Sequence, residues 1–173
     1  MPVDFLTPAQ RARYGRFPDS MLAENLARYF HLDDTDHRFV VTHRGAHMRL
    51  GCAVQLGTVR FLGTFLEDPC NVPPKAVSFV GEQLNIPIAG ALDLYRASRW
   101  RWHHPAEIRE HYGYRDFSDR FTQFQLNRWL YALCWTGTDR PSTLFDRATA
   151  CALAPKESTT WIEKSNLKKE ILE

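Results

Sequence analysis

Apolar residues recur along the chain at the three-and-four spacing of helices, and caps, glycines and prolines punctuate them. Thr7 is placed to cap, Pro8 to take a first helical position and Gly15 to form a left-handed stop, which predicts a helix over 8–14. Leu22, Leu26, Tyr29 and Phe30 share one face of a second helix over 20–30. HLDDTD then supplies a turn and an N-cap, a third helix covers 35–43, and a fourth runs from Ala46 to near Gly63.

EDPCNVPP carries two consecutive prolines and cannot continue a helix, so 67–74 is the best internal boundary, with room for two small helical lobes. Helices are predicted beyond it over 75–84, 90–100, 105–113, 119–136 and 142–153. Phe124, Leu126, Trp129, Leu130, Leu133 and Cys134 give the 119–136 helix the pattern of a well-buried element. No alternating strand pattern of useful length occurs, and the fold class is all-α, a compact multi-helix region with helix-turn-helix-like elements.

Composition bounds this picture. With 173 residues, 44% hydrophobic and 24% charged, the chain reads as a folded globular protein. It has no apolar run of spanning length and no leader pattern at MPVDFLTPAQ, so a cytoplasmic location is expected. Cys52, Cys70, Cys134 and Cys151 are widely spread and form no zinc-ligand spacing, so reduced thiols are expected. After Pro155 the chain changes character. Lys156, Lys164, Lys168 and Lys169 fall in a tail, 155–173, that contains no arginine, whereas Lys75 is the single lysine before it.

A net charge of +2 is too mild to argue for nucleic acid, but its distribution says more. Residues 37–66 contain no Asp or Glu, while Arg38, Arg44, Arg49 and Arg60 alternate with His37, His43 and His47. On a helix, Arg49, Ala53, Leu56 and Arg60 form one stripe beside Gly57, a small-residue face that a phosphate backbone could approach. The competing reading is a buried central helix, since core helices lack acids anyway. In a second cluster, RASRWRWHHPAEIREHYGYR, Arg96, Arg99, Arg101 and Arg109 interleave with aromatics, a pattern suited to phosphate contact with stacking. Its competitor packs Trp100 and Trp102 inward, and Trp100 or Trp102 is expected in the core rather than stacking.

Two constellations resemble metal or acid–base sites. His103, Glu107 and His111 lie four apart, but Pro105 places His103 outside the helix. The carboxylates of Asp33–Asp36 are explained by an N-cap. No nucleophile motif, phosphate loop or dinucleotide fingerprint occurs, so no catalytic residue, metal or cofactor is assigned.

Taken together, MPVDFLTPAQRARYGRF, LARYFHLDD, HRGAHMRLGCAVQLGTVRFLGTFLEDPCNVP, HPAEIREHYGYRDFSD and RWLYALCWTGTDRPSTLFDRATA make the chain resemble the N-terminal region of transposases of the Tn-three family from Met1 to about Ala154. The resemblance implies a helical DNA-binding region that recognises the terminal inverted repeats of the transposon as double-stranded DNA. It also implies that the acidic triad lies on an RNase-H-like domain elsewhere in the family protein. None of Asp33, Asp34, Asp36 and Glu67 matches that triad, and the lysine-rich tail departs from the family, which points to a truncated reading frame without catalytic activity. Arg38, Arg44, Arg49 and Arg60 are the first candidate DNA contacts, followed by Arg96, Arg99, Arg101 and Arg109. Two other functions fit less well: a module that joins transposase subunits by self-association, and a small metal-dependent nuclease built on His103, Glu107 and His111.

Overall fold

The acid-free apolar run becomes the helix around which its neighbours gather. The structure, a computed structural model, describes residues 15–114, 119–136 and 143–144. The predicted helix over 8–14, nearly all of that over 142–153, and the tail lie outside these residues. The described elements are α1 (Ala23–Tyr29), α2 (Asp34–Val41), α3 (Ala46–Leu62), α4 (Pro74–Leu84), α5 (Ala91–Ala97), a 3-10 turn (Arg99–Trp102), α6 (His104–Tyr112) and α7 (Arg120–Thr136). No strand occurs among the described residues, so the fold is all-α.

Two compact units divide the chain, one of Thr7–Ile108 and one of Met1–Leu6 with Arg109–Glu173. Within the first, α3 touches α1, α2, α4, α5 and the 3-10 turn. Every residue from Leu50 to Val59 is buried, including Gln55 and Thr58, because neighbours cover α3 on all sides. Residues 67–74 lie inside this unit, where Cys70 and Val72 are buried and Pro74 opens α4 at its first turn.

Local chemistry explains the element ends. Asp33 caps α2 through a capping box: its carboxylate accepts from the Asp36 amide at 2.8 Å, and Asp36 accepts from the Asp33 amide at 3.1 Å. The turn that predicted an N-cap is therefore an N-cap. Gly63 ends α3 at φ 75, a left-handed conformation that an L side chain resists, and its amide donates to the Val59 carbonyl. Gln83 of α4 ties down the α1–α2 turn, accepting from the Leu32 amide at 2.8 Å and donating to the Phe30 carbonyl at 2.9 Å.

Two glycines let the core close. A β-carbon on Gly57 would fall 2.2 Å from the ring of Phe30, and one on Gly51 would fall 2.4 Å from the ring of Tyr95. The stripe of Ala53, Leu56 and Gly57 is thus filled by protein and offers no face to a phosphate backbone, which corrects the expectation for that stripe. Helix α7 departs from its expectation in the opposite sense. None of its described side chains is buried, and Phe121, Phe124, Tyr131 and Trp135 are prominently exposed.

Candidate nucleic-acid interface

The eight candidate arginines occupy different physical situations. Arg60, in the last turn of α3, forms a two-pronged ion pair with buried Asp36 of α2 and also donates to the His31 carbonyl. Its charge is committed to the fold. Arg49 is half-buried, and its Nε donates to the His43 carbonyl at 3.0 Å, which bridges the turn between α2 and α3. Arg38, in the last turn of α2, and Arg44, just before α3, are exposed.

The start of α3 is electrostatically open. Gly45 occupies the N-cap at φ 90 with no side-chain hydrogen bond to the first turn, and no acidic residue stands in that turn. Unsatisfied amides at a helix start carry partial positive charge and favour an anion. Arg44, His47 and Arg49 flank this end in sequence, and the Glu107 carboxylate reaches the preceding turn at His43. The acid-free stretch is therefore a buried helix with a cationic start.

In the second cluster, Arg96 and Arg99 are exposed, Arg96 making a 3.4 Å contact with exposed Asp93. Arg101 is half-buried: it donates to the Arg96 carbonyl, and its guanidinium lies 4.6 Å from the Trp102 ring centroid. Its Nε is buried without a hydrogen-bond partner. Arg109 is exposed on α6. Trp100 and Trp102 are more than half exposed, against the expectation that they pack inward, because the short 3-10 turn carrying them has no buried residue. Part of that aromatic surface is already engaged, with Arg101 over the Trp102 ring and the His103 ring 5.3 Å from that of Trp100.

Behind this surface lies a polar network that spacing did not reveal. Gln55 Nε2 donates to the Tyr95 hydroxyl at 2.6 Å and to the Arg101 carbonyl at 2.9 Å. The Tyr95 hydroxyl, taking a hydrogen from Gln55, gives its own to His104 Nδ1 at 2.7 Å. Burial pushes the His104 imidazole down to about 4 and raises the Tyr95 phenol, so both are neutral at pH 7. The His43 ring packs edge-on against His104, with centroids 4.7 Å apart, and its Nε2 lies 2.9 Å from Glu107 Oε2.

Glu107 is thus grouped with His43 and His104, while the ring of His103 lies against Trp100 and that of His111 against Tyr112. His104 and Glu107 are one helical turn apart in α6, a spacing legible in the sequence. His43 is 64 residues from Glu107, so no local motif could include it.

The fold and this surface define a helical module that exposes arginines and tryptophans around the 3-10 turn and arginine at the start of α3. Residues 5–152 match the family described as "Domain of unknown function (DUF4158)", and the chain belongs to that family. It is homologous to transposases of the Tn-three family. It is 47% identical over 158 residues to the transposase for transposon gamma-delta of Escherichia coli (strain K12), a match covering 90% of this chain and 16% of that protein. It is 30% identical over 113 residues to the transposase for transposon Tn3926 of Escherichia coli, covering 65% and 11%. The transposase for transposon Tn1546 of Enterococcus faecium is 28% identical over 116 residues, covering 66% and 11%. The chain spans 16% or less of the length of these relatives. Among the described residues, no helix is long and apolar enough to cross a membrane.

Proposed function

We propose that the chain binds double-stranded DNA in transposition, recognising the terminal inverted repeats of its element while the cleavage chemistry resides elsewhere in the transposase. The observation that carries this reading is the uncapped, acid-free start of α3 beside exposed Arg44 and half-buried Arg49. Backbone amides and guanidinium groups there suit a phosphate, and such contacts set the register in which other side chains read bases. Arg38, Arg96 and Arg99 add exposed cations, and Trp100 and Trp102 add partly exposed aromatic surface. Acting on DNA would place the protein in the bacterial cytoplasm, at the nucleoid.

A mobility-shift titration of the element's terminal repeat against a scrambled duplex, at two salt concentrations, tests this. Preferential binding of the repeat, with affinity falling steeply as salt rises, supports the reading. Equal binding of both duplexes, or no binding, refutes specific recognition.

A second reading, self-association within the transposase assembly, is favoured by α7. Tyr131 and Trp135 lie on one face of that helix with centroids 5.9 Å apart, and both are largely exposed. Sedimentation equilibrium discriminates the two: association through this face persists at high salt and is lost in Trp135→Ser.

A further inference from the structure

We propose that His43, His104 and Glu107 form a binding site for a divalent transition-metal cation of the zinc type, which clips the end of α2 to the start of α6. One ligand atom from each residue lies within 4.8 Å of the other two. His43 Nε2 and Glu107 Oε2 are 2.9 Å apart, closer than the ~3.3 Å that two ligands span on a tetrahedral zinc with bonds of ~2.0–2.1 Å. The cation takes the place of the hydrogen between them, and the more exposed Glu107 carboxylate moves to bring the set onto the ion while His104 stays held by the core.

The surroundings of the two imidazoles match what a metal requires. A ligating histidine is oriented by a hydrogen bond at its other ring nitrogen. His43 Nδ1 lies 3.2 Å from the Val40 carbonyl, and His104 Nδ1 lies 2.7 Å from the Tyr95 hydroxyl, itself held by Gln55. In both residues Nε2 is the nitrogen that faces the cluster; for His104 to ligate, its ring proton passes from Nε2 to Nδ1, which then donates to the Tyr95 hydroxyl oxygen in place of accepting from it. Burial is graded across the site: His104 is 1% exposed, and the side chains of His43 and Glu107 are 11% and 40% exposed. The inner ligands are fixed by the core, and the outer carboxylate opens a path from solvent with room for a water as fourth ligand.

Donor chemistry selects the ion. Two imidazoles and one carboxylate suit zinc and its first-row neighbours, whereas magnesium and calcium favour all-oxygen sets. Bound there, the cation would join segments 64 residues apart in sequence and hold the His43 carbonyl that anchors Arg49. This site stands apart from the reading of the chain as a DNA-binding module, and its test reads metal alone.

The experiment is calorimetric titration of zinc into the full chain after chelator treatment and dialysis, with cobalt as a spectroscopic substitute. One zinc per chain and visible cobalt bands of a four-coordinate nitrogen–oxygen site are expected. Glu107→Gln and His43→Ala each weaken zinc binding at least about tenfold, whereas His31→Ala, on the exposed surface, leaves it unchanged. Absence of stoichiometric binding overturns the proposal. So does Glu107→Gln binding as the wild type does, or His31→Ala losing affinity equally. The Glu107→Gln change sits at the solvent side of the cluster, so the test survives if His104→Ala, which empties a core position, does not fold.

Discussion

Arg60 and Asp36 form a two-pronged ion pair, with Nη1 2.8 Å from Oδ2 and Nη2 2.7 Å from Oδ1, that locks the last turn of α3 to the first turn of α2. The same Asp36 carboxylate closes the capping box on the Asp33 amide, so one buried group satisfies a helix start and neutralises a cation. Breaking one side of such a pair leaves the other charge uncompensated, which costs more than the intact pair contributes. Asp36→Ala should therefore destabilise the fold by about 3 kcal/mol, the low end for a buried pair because Arg60 keeps some solvent contact. Urea unfolding measures it, and Asp36→Leu with Arg60→Met should recover most of the loss.

The arginines divide by role. Arg44→Ala and Arg38→Ala should each lower DNA affinity and reduce the magnitude of the salt slope by about one, while changing stability by less than about 0.5 kcal/mol. Arg60→Ala should do the reverse, lowering the unfolding midpoint and leaving the salt slope unchanged. Binding isotherms over a salt series, with an unfolding curve for each variant, separate the two behaviours. An Arg60→Ala slope reduced by as much as that of Arg44→Ala would place Arg60 on the DNA.

Gly57→Ala should be destabilising even though alanine is the better helix former. The added carbon meets the ring of Phe30, a fully buried residue, at 2.2 Å, so the ring or α3 must shift inside the core. Overpacking of this kind costs roughly 1–3 kcal/mol, which exceeds the ~1 kcal/mol gained in helix propensity. Thermal unfolding of the variant checks the sign.

Cysteine labelling should follow burial. Cys52 is fully buried, and desolvation, assisted by Glu107, raises its thiol far above the ordinary range, whereas Cys134 is exposed. In native protein at pH 8, peptide mass spectrometry should find Cys134 alkylated and Cys52 unmodified, with Cys52 reacting once the chain is denatured. Rapid native labelling of Cys52 would mean that α3 opens at its centre.

Much of the helical order was legible because caps and breakers act over a few residues. Ala46 begins α3 and Leu84 ends α4 where the pattern places them, and Asp33 caps α2. What the pattern could not decide was which face of a helix is covered. For α3, arginines at both ends framed small residues in a way that fits either an exposed groove or a core, and Phe30 and Tyr95 filled it from elsewhere in the chain. For α7, an apolar pattern reads as burial, yet its described side chains keep solvent contact. The tryptophans of the 3-10 turn show the same limit, since a four-residue element has too little periodicity to assign a face.

The sequence by itself therefore determined the all-helical class, the helix ends at Ala46 and Leu84, the acid-free character of 37–66 and the kinship with transposases, whereas the helix expected over 90–100 stops at Ala97, where Ser98 caps the 3-10 turn. Tertiary structure alone decided that Arg60 serves Asp36 rather than solvent, that the start of α3 is left uncapped beside Arg44, and that His43 meets His104 and Glu107. The physical reason is range. A cap is satisfied by neighbours three or four residues away, whereas an ion pair, a filled glycine notch or a three-residue cluster depends on segments that only the packed core brings together.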